Sequence, residues 1–258
     1  MSKALIGHTG FIGSNLIQQE RFDSVYNSQN IAEIADRHFD LVVCAGARAE
    51  KWRINNEPEK DLNDIRILTE SLAKVYADFF VLISTIDVYA APNGVYEDTP
   101  VLTHQLHPYG THRYFLEEFV RKNFKNSLTI RLPGMFGSGL KKNFIFDLLH
   151  SNALHMTHPK SRYQFYDAGE LWKDIQKLIP AGISLINFAT PPISAETVAR
   201  ECFDIDFKNE SSNSLVFYDM RTRYGSLFGQ DGDYIWTLEQ ELESIRKFVR
   251  KESENQIA

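Results

Sequence analysis

Along the first two-thirds of the chain, short apolar runs alternate with segments whose apolar residues recur every three or four positions. Ala4–Ile6 is an apolar run, and SNLIQQE behind it has helical spacing. Asp23–Tyr26 is expected as a second strand and Asn30–Arg37 as a helix. DLVVCA (Asp40–Ala45) has the continuous apolar character of a strand buried on both faces, and a polar stretch separates it from a helical Glu59–Tyr76. FFVLIS (Phe79–Ser84) is another buried strand, Tyr109–Asn123 is helical by its Leu116, Phe119, Val120 spacing, and LTIRL (Leu128–Leu132) is again a strand. Such alternation predicts an α/β fold, a doubly wound parallel sheet with helices on both faces.

After Pro133 the rhythm breaks. Phe144–His150 has helical spacing, Leu185–Ala189 is expected as a strand returning to the sheet, and residues 195–236 are expected as short strands and turns. The last element, Thr237–Arg250, places Leu238, Leu242, Ile245 and Val249 on one face. Thr237 and Gln240 have the spacing of a capping box, and acidic residues precede basic ones as the helix dipole prefers. The expected division is a core over 1–135 and a smaller mixed α/β lobe over 136–258, packed beside the sheet.

Composition narrows the class. With 43% hydrophobic and 24% charged residues the chain is that of an ordinary globular protein. A net charge of −6 argues against nucleic-acid and anionic-membrane partners. No segment approaches the roughly 20 apolar residues of a membrane helix, and MSKALIGHTG lacks the features of a signal peptide, so a cytoplasmic location is expected. Of the two cysteines, Cys44 lies in an apolar run and is expected as a reduced core thiol. His104, His107, His155 and His158 show no metal-ligand spacing, and no metal site is expected.

Gly7, Gly10 and Gly13 stand between the first strand and the first helix, where a dinucleotide-binding turn belongs. Small residues there let the backbone approach a pyrophosphate, which the helix N-terminus attracts. The spacing in GHTGFIG is GxxGxxG, and with it the chain resembles the extended short-chain dehydrogenase/reductase family, which contains sugar-nucleotide epimerases, dehydratases and reductases. Further stretches carry the resemblance in order: LVVCAGA (Leu41–Ala47), ISTIDVYA (Ile83–Ala90), PYGTHRYFLEE (Pro108–Glu118), RLPGMFG (Arg131–Gly137) and SRYQFYDAGELWKDI (Ser161–Ile175). The match runs from residue 3 to about residue 190. It implies a Rossmann-like NAD(P)-binding fold with a small C-terminal substrate lobe. The implied cofactor contacts are Gly7, Thr9, Gly10, Phe11, Ile12, Gly13, Asn27, Ser28, Ala45, Gly46, Ala47, Ser84 and Pro133.

In that family a Tyr–Lys pair four apart on a helix works with a Ser or Thr at a strand end, the tyrosine moving a proton while hydride moves to or from the nicotinamide. The resemblance assigns Tyr109 as acid/base and Thr85 as its hydroxyl partner. A free tyrosine, with a pKa of about 10, is a poor base at neutral pH, and a nearby cation brings it towards the working range. Here the cation is Arg113, where the family has lysine. Arginine is longer and planar and does not shed its proton. Three placements stay open: beside the cofactor, in a surface pair with Glu117 or Glu118, or in a site that has lost its chemistry. Thr85 is followed by Ile86 and then Asp87, not by the acidic residues of the family's dehydratases, so a reductase or an epimerase is expected. Asp87 is a candidate substrate contact.

Tyr26, Asn27 and Ser28 follow the second strand without an acid to hold an adenosine ribose, and without an arginine for a 2′-phosphate, so the cofactor is NAD or NADP. Arg48 is a candidate to approach from the next loop. The resemblance implies a nucleotide-sugar substrate, with Lys141, Asn143 and Arg162 as candidate contacts, and a homodimer formed through two long helices. The alternative is a dinucleotide-binding sensor or scaffold without turnover.

Overall fold

The structure, a computed structural model, describes residues 1–257. The chain divides into two compact units, one of Met1–Ala90, Asp98–Leu132 and Gly169–Ile186, the other of Ala91–Glu97, Pro133–Ala168 and Asn187–Ala258. The units are interleaved in sequence: the second takes a short piece from within the first 135 residues and the first takes back residues 169–186.

The strands in chain order are β1 (Lys3–Ile6), β2 (Ser24–Tyr26), β3 (His38–Cys44), β4 (Tyr76–Thr85), β5 (Asn93–Val95), β6 (Ser127–Leu132), β7 (Gly134–Phe136), β8 (Arg162–Tyr163), β9 (Phe165–Asp167), β10 (Leu185–Asn187), β11 (Ile193–Ser194) and β12 (Asp219–Met220). The helices are α1 (Phe11–Gln19), α2 (Lys51–Asn56), α3 (Pro58–Leu72), α4 (Pro108–Asn123), α5 (Phe144–His150), α6 (Leu171–Leu178), α7 (Ala195–Phe203) and α8 (Leu238–Ile257).

The central sheet has the order β10-β6-β4-β3-β1-β2, and its pairings from β2 through to β6 are parallel. Side chains alternate between the two faces of a strand. Ala4, Ile6, Val42, Cys44, Phe80 and Leu82 join Ile65, Leu68 and Leu72 of α3, Leu116 and Val120 of α4 and Phe124 just behind α4 in one core. Phe80 and Phe124 stack there with centroids 4.1 Å apart. The alternate set, Leu5, Leu41, Val43, Val81 and Ile83, is buried as well. The doubly wound α/β arrangement expected from the apolar runs is thus the observed one. Cys44 is a free thiol in this core, where burial pushes it up to about 11.

Several local expectations are corrected. Asn30–Arg37 folds only as a 3-10 turn over Ile31–Ile34. The helix expected over Glu59–Tyr76 ends at Leu72, because Tyr76 already pairs with His38 as the first residue of β4. The polar stretch behind β3 contains α2. Within residues 195–236, Ala195–Phe203 is helical, capped by Ser194, whose hydroxyl accepts from the Thr197 N–H at 3.2 Å. No helix among the described residues is long and apolar enough to cross a membrane.

The second unit is built from three two-stranded ribbons, β7 with β9, β8 with β11 and β5 with β12, and from α5, α7 and α8. Phe136, Phe144, Phe165, Val198, Leu242 and Ile245 share its core. The expected capping box closes α8: Thr237 N–H donates to Gln240 Oε1 at 2.7 Å, and Gln240 N–H donates to Thr237 Oγ1 at 3.1 Å. Inside this core lies Glu241, fully buried. Its Oε1 accepts from the Phe165 N–H at 2.7 Å, while Oε2 has no hydrogen-bond partner. Burial raises this carboxyl well above the usual range, against the smaller pull of the Phe165 N–H and Thr190.

An acid raised on folding binds its proton in the native state over a pH range where the unfolded chain has lost it. Native stability therefore falls as pH rises from the ordinary carboxylate value, about 4.3, through the raised one. Glu241→Gln removes that cost while keeping an oxygen for Phe165. Urea unfolding should find the variant more stable than the native protein at pH 7.5, the gap closing as pH falls below about 4.3.

Candidate active site

In a parallel sheet the carboxyl ends of all strands lie along one edge, and ligands bind where the strand order reverses. Here the reversal falls between β1 and β3, which lead to β2 on one side and β4 on the other. Gly7 follows β1 with φ +87°, donating its N–H to Tyr26 O at 2.7 Å. A side chain at Gly7 would collide with the backbone of Ala45, so glycine is required for the turn to lie against the end of β3. Thr9 and Gly10 are exposed, and Phe11, Ile12 and Gly13 form the first turn of α1, whose amides have no partner within a helix. Ala45, Gly46 and Ala47 leave β3 at the same edge, and the Ala45 N–H donates to Ile6 O at 2.9 Å. Asn27 and Ser28 follow β2, where Asn27 is absorbed in a local turn: its N–H donates to Asn30 Oδ1 at 2.7 Å and its Oδ1 accepts from the Gln29 N–H at 2.8 Å. Arg48 turns to α3, its Nε 3.5 Å from Asp64 Oδ2.

Thr85 closes β4, and a short 3-10 turn carries Asp87. The Asp87 N–H donates to Thr85 Oγ1 at 3.2 Å, and Thr85 Oγ1 donates to Asp87 Oδ2 at 3.3 Å. Helix α4 starts with Pro108 and Tyr109. A Cβ at Gly110 would strike the Asp87 carbonyl, so this glycine lets the first turn of α4 seat against the Thr85–Asp87 turn. The Tyr109 N–H, one of the helix's free donors, is taken by Asn55 Oδ1 of α2 at 3.0 Å.

Tyr109, Arg113 and Glu117 are spaced four apart on α4, and all three are buried. Arg113 does not pair with Glu117 or Glu118; those carboxylates are held by Arg131 and Arg121. Its Nη1 donates to Asp61 Oδ2 at 3.1 Å, its Nη2 to Asp61 Oδ1 at 2.9 Å and also to the Arg48 carbonyl. His112 Nδ1 lies 2.7 Å from the same Asp61 Oδ2. The guanidinium carbon sits 4.6 Å from the Tyr109 ring centroid. Burial pushes the Tyr109 phenol above its ordinary value and the nearby Asp87 adds to the rise, while Arg113 and Thr85 pull it down.

Ser84 is committed to a second buried group. Its hydroxyl donates to Glu117 Oε1 at 2.5 Å, Arg131 Nη2 donates to Glu117 Oε2 at 2.6 Å, and Arg131 Nη1 donates to Tyr89 Oη at 2.6 Å. Sequence reasoning missed Asp61, Asn55 and Lys51, whose Nζ donates to Asp87 Oδ1 at 2.5 Å. The four-residue spacing of Lys51 and Asn55 was the available signal, once α2 is known to be a helix.

Four expected contacts lie in the second unit. Pro133 is buried next to β7, and Lys141 is exposed. Asn143, at φ +114°, accepts from the Phe146 N–H at 3.1 Å and donates to Met135 O at 2.8 Å, so its side chain caps α5. Arg162 is exposed on β8, its guanidinium carbon 5.3 Å from the Phe217 centroid.

No family model matches the chain, and no curated protein matches it by sequence. Solved structures do match by fold. A dTDP-4-dehydrorhamnose reductase from Bacillus anthracis in complex with NADP superposes with a TM-score of 0.76 at 16% identity, covering 97% of this chain and 99% of that one. MoeE5 in complex with UDP-glucuronic acid and NAD gives 0.76 at 14% identity, covering 98% and 100%. A UDP-glucose 4-epimerase from Thermotoga maritima with UDP-glucose gives 0.70 at 14% identity, covering 97% and 99%. The chain has the fold of these enzymes, the fold implied by the extended short-chain dehydrogenase/reductase resemblance.

The Glu117–Arg131 pair ties the tyrosine helix to the sheet. Removing one partner of a buried pair strands the other's charge, at a cost of about 3–5 kcal/mol. Glu117→Ala should lower the urea unfolding free energy by about that amount, and Glu118→Ala, on a partly exposed pair, by well under about 1 kcal/mol.

Proposed function

We propose that the protein is an NAD(P)-dependent oxidoreductase or epimerase acting on a nucleotide-linked sugar, with Tyr109 as acid/base, Thr85 orienting the reacting oxygen and Arg113 as a fixed cation beside the phenol ring. The observation that carries this reading is the buried Tyr109–Arg113 pair, seated by Gly110 against the Thr85–Asp87 turn at the same sheet edge as the glycine turn. The turn fits a dinucleotide: Gly7 presses its backbone against Ala45, and the first amides of α1 stand free for a pyrophosphate. Such a cofactor, when bound, supplies or takes the hydride. The fold neighbours crystallised with NAD, NADP and UDP-sugars support the same substrate class. Asn27 and Ser28 present neither an acid nor a cation, so NAD and NADP are both admitted.

The raised phenol favours one direction. At neutral pH Tyr109 holds its proton and is ready to donate it to a sugar oxygen as a carbonyl becomes a hydroxyl. Oxidation of a hydroxyl, the opening step of an epimerase, needs the phenolate instead. Reduction of a keto sugar is therefore the favoured half of the reading. The expected homodimer is supported by the exposed Ile67 of α3 and Phe115 of α4, and a cytoplasmic location is part of the same proposal.

One observation favours a second reading, a dinucleotide-binding sensor or scaffold without turnover: the charge of Arg113 is already matched by Asp61.

The two separate in an assay of keto-sugar nucleotides with NADH or NADPH. The enzyme reading expects consumption of reduced cofactor, lost by about a hundredfold or more in Tyr109→Phe with dinucleotide binding kept. Because the phenol is raised, the reductive rate should hold through neutral pH and fall only in alkali, while any oxidative rate should climb with pH. A wild-type rate equal to that of Tyr109→Phe on every sugar tried leaves the sensor reading.

A further inference from the structure

NAD and NADP differ only at the adenosine ribose, and Asn27 and Ser28 do not choose between them. Dinucleotide folds hold that ribose beside the carboxyl end of the second strand, commonly with an acid there. In this chain a side chain of the glycine turn occupies the same place. Tyr26, the last residue of β2, presents its carbonyl, and His8 meets it twice: Nδ1 lies 2.9 Å from Tyr26 O, and the His8 N–H donates to the same oxygen at 3.4 Å. The turn is closed from behind as well. The Gly10 N–H donates to Gly7 O at 3.0 Å, and a Cβ at Gly13 would fall 2.7 Å from the His8 Cα, so α1 lies directly against this residue. The imidazole is thus held over the end of β2 by its own backbone and by its ring.

That contact fixes which ring nitrogen carries hydrogen. A carbonyl oxygen only accepts, so Nδ1 is the donor, and the neutral ring then has a bare lone pair on Nε2. His8 is half-buried, and its Nε2 has no hydrogen-bond partner among the described residues and is not sealed from solvent. An acceptor suits a ribose hydroxyl, which has a hydrogen to give. It opposes a 2′-phosphate, which brings acceptor oxygens and negative charge. The turn behind β2 does not offset that charge, since residues 27–30 are Asn, Ser, Gln and Asn, and Arg48 faces Asp64.

We infer that His8 reads the adenosine ribose, its Nε2 accepting from the 2′-hydroxyl, and that the site therefore selects NAD over NADP. This role rests on the dinucleotide half of the proposed function. His8 acts at the end of the cofactor remote from the hydride, so it sets affinity and cofactor choice, not the chemical step.

The test is equilibrium binding by calorimetry on the full chain, at about pH 8, above the ordinary imidazole range. The ligands are NAD, NADP and NAD lacking the adenosine 2′-hydroxyl. The native protein should bind NAD about tenfold or more tighter than NADP, and about fivefold or more tighter than the 2′-deoxy analogue, as the loss of one hydrogen bond gives. His8→Asn keeps an N–H for Tyr26 O and removes only the distal nitrogen. It should bind NAD about fivefold or more weakly than the native protein, with the urea midpoint kept, and should no longer tell NAD from the analogue. His8→Arg, which brings a cation to the same place, should turn the preference towards NADP. A native protein that binds NAD and the analogue equally, or NADP as tightly as NAD, overturns the role of His8, and that result needs no variant to fold. His8→Asn that still tells NAD from the analogue overturns it too, because a histidine that only pins the turn survives this change. A native protein that binds none of the three ligands overturns the dinucleotide reading itself. Dinucleotide binding as expected without turnover of any keto sugar overturns the oxidoreductase reading and leaves the role of His8 standing.

Discussion

The site depends on one requirement, that no charge on the buried face of α4 be left without an opposite. That face carries Tyr109, Arg113 and Glu117 in a row. Arg113 finds Asp61 on the neighbouring helix α3, and Glu117 finds Arg131 on the strand β6. The two pairs pull in different directions and have opposite polarity. Turning α4 about its axis, or sliding it by a turn, would break both and leave four charges in a medium that solvates none of them. The phenol at the head of the row inherits its position from this lock. Apolar contacts of Leu116, Val120 and Phe124 with the sheet supply adhesion, but they would tolerate small rotations that the ion pairs do not.

The same lock changes what residue 113 can contribute. A guanidinium already facing a carboxylate is a weaker field at the phenol than a bare cation, and desolvation then dominates the balance at Tyr109. The free energy that could have lowered the phenol is spent on fixing the helix. A second cation, Lys51, holds Asp87, and Asp87 holds the Thr85 hydroxyl, by a route separate from the Arg113–Asp61 pair.

Much of the fold was legible because its signals are local. The turn of GHTGFIG, the apolar runs of β3, β4 and β6 and the Thr237–Gln240 box each lie within a few neighbouring residues. What stayed hidden is non-local or polar. Asp61 and Arg113 are 52 positions apart, and nothing in either neighbourhood announces the other. Helix α2 was read as a polar stretch because only Ile54 of its six residues is buried; its other side chains work through polar groups or face water. Tyr76 shows helical spacing with the residues before it, yet pairing with β3 claims it for the sheet, a tertiary gain that outweighs local preference. Glu241 reads as an ordinary helix carboxylate, and only the surrounding apolar core makes it a proton holder.

The interleaving of the two units bears on how the chain is made. The chain passes from one unit to the other five times, after Ala90, Glu97, Leu132, Ala168 and Ile186. On the ribosome, the sheet that begins with residue 3 cannot gain its last strand, β10, until residue 187 has left the exit tunnel. Until then the β6 edge offers unpaired amides and carbonyls to any other nascent strand. Neither unit is a continuous gene segment, so neither can be borrowed, duplicated or lost alone. Recombination within this chain must therefore exchange loops or the whole.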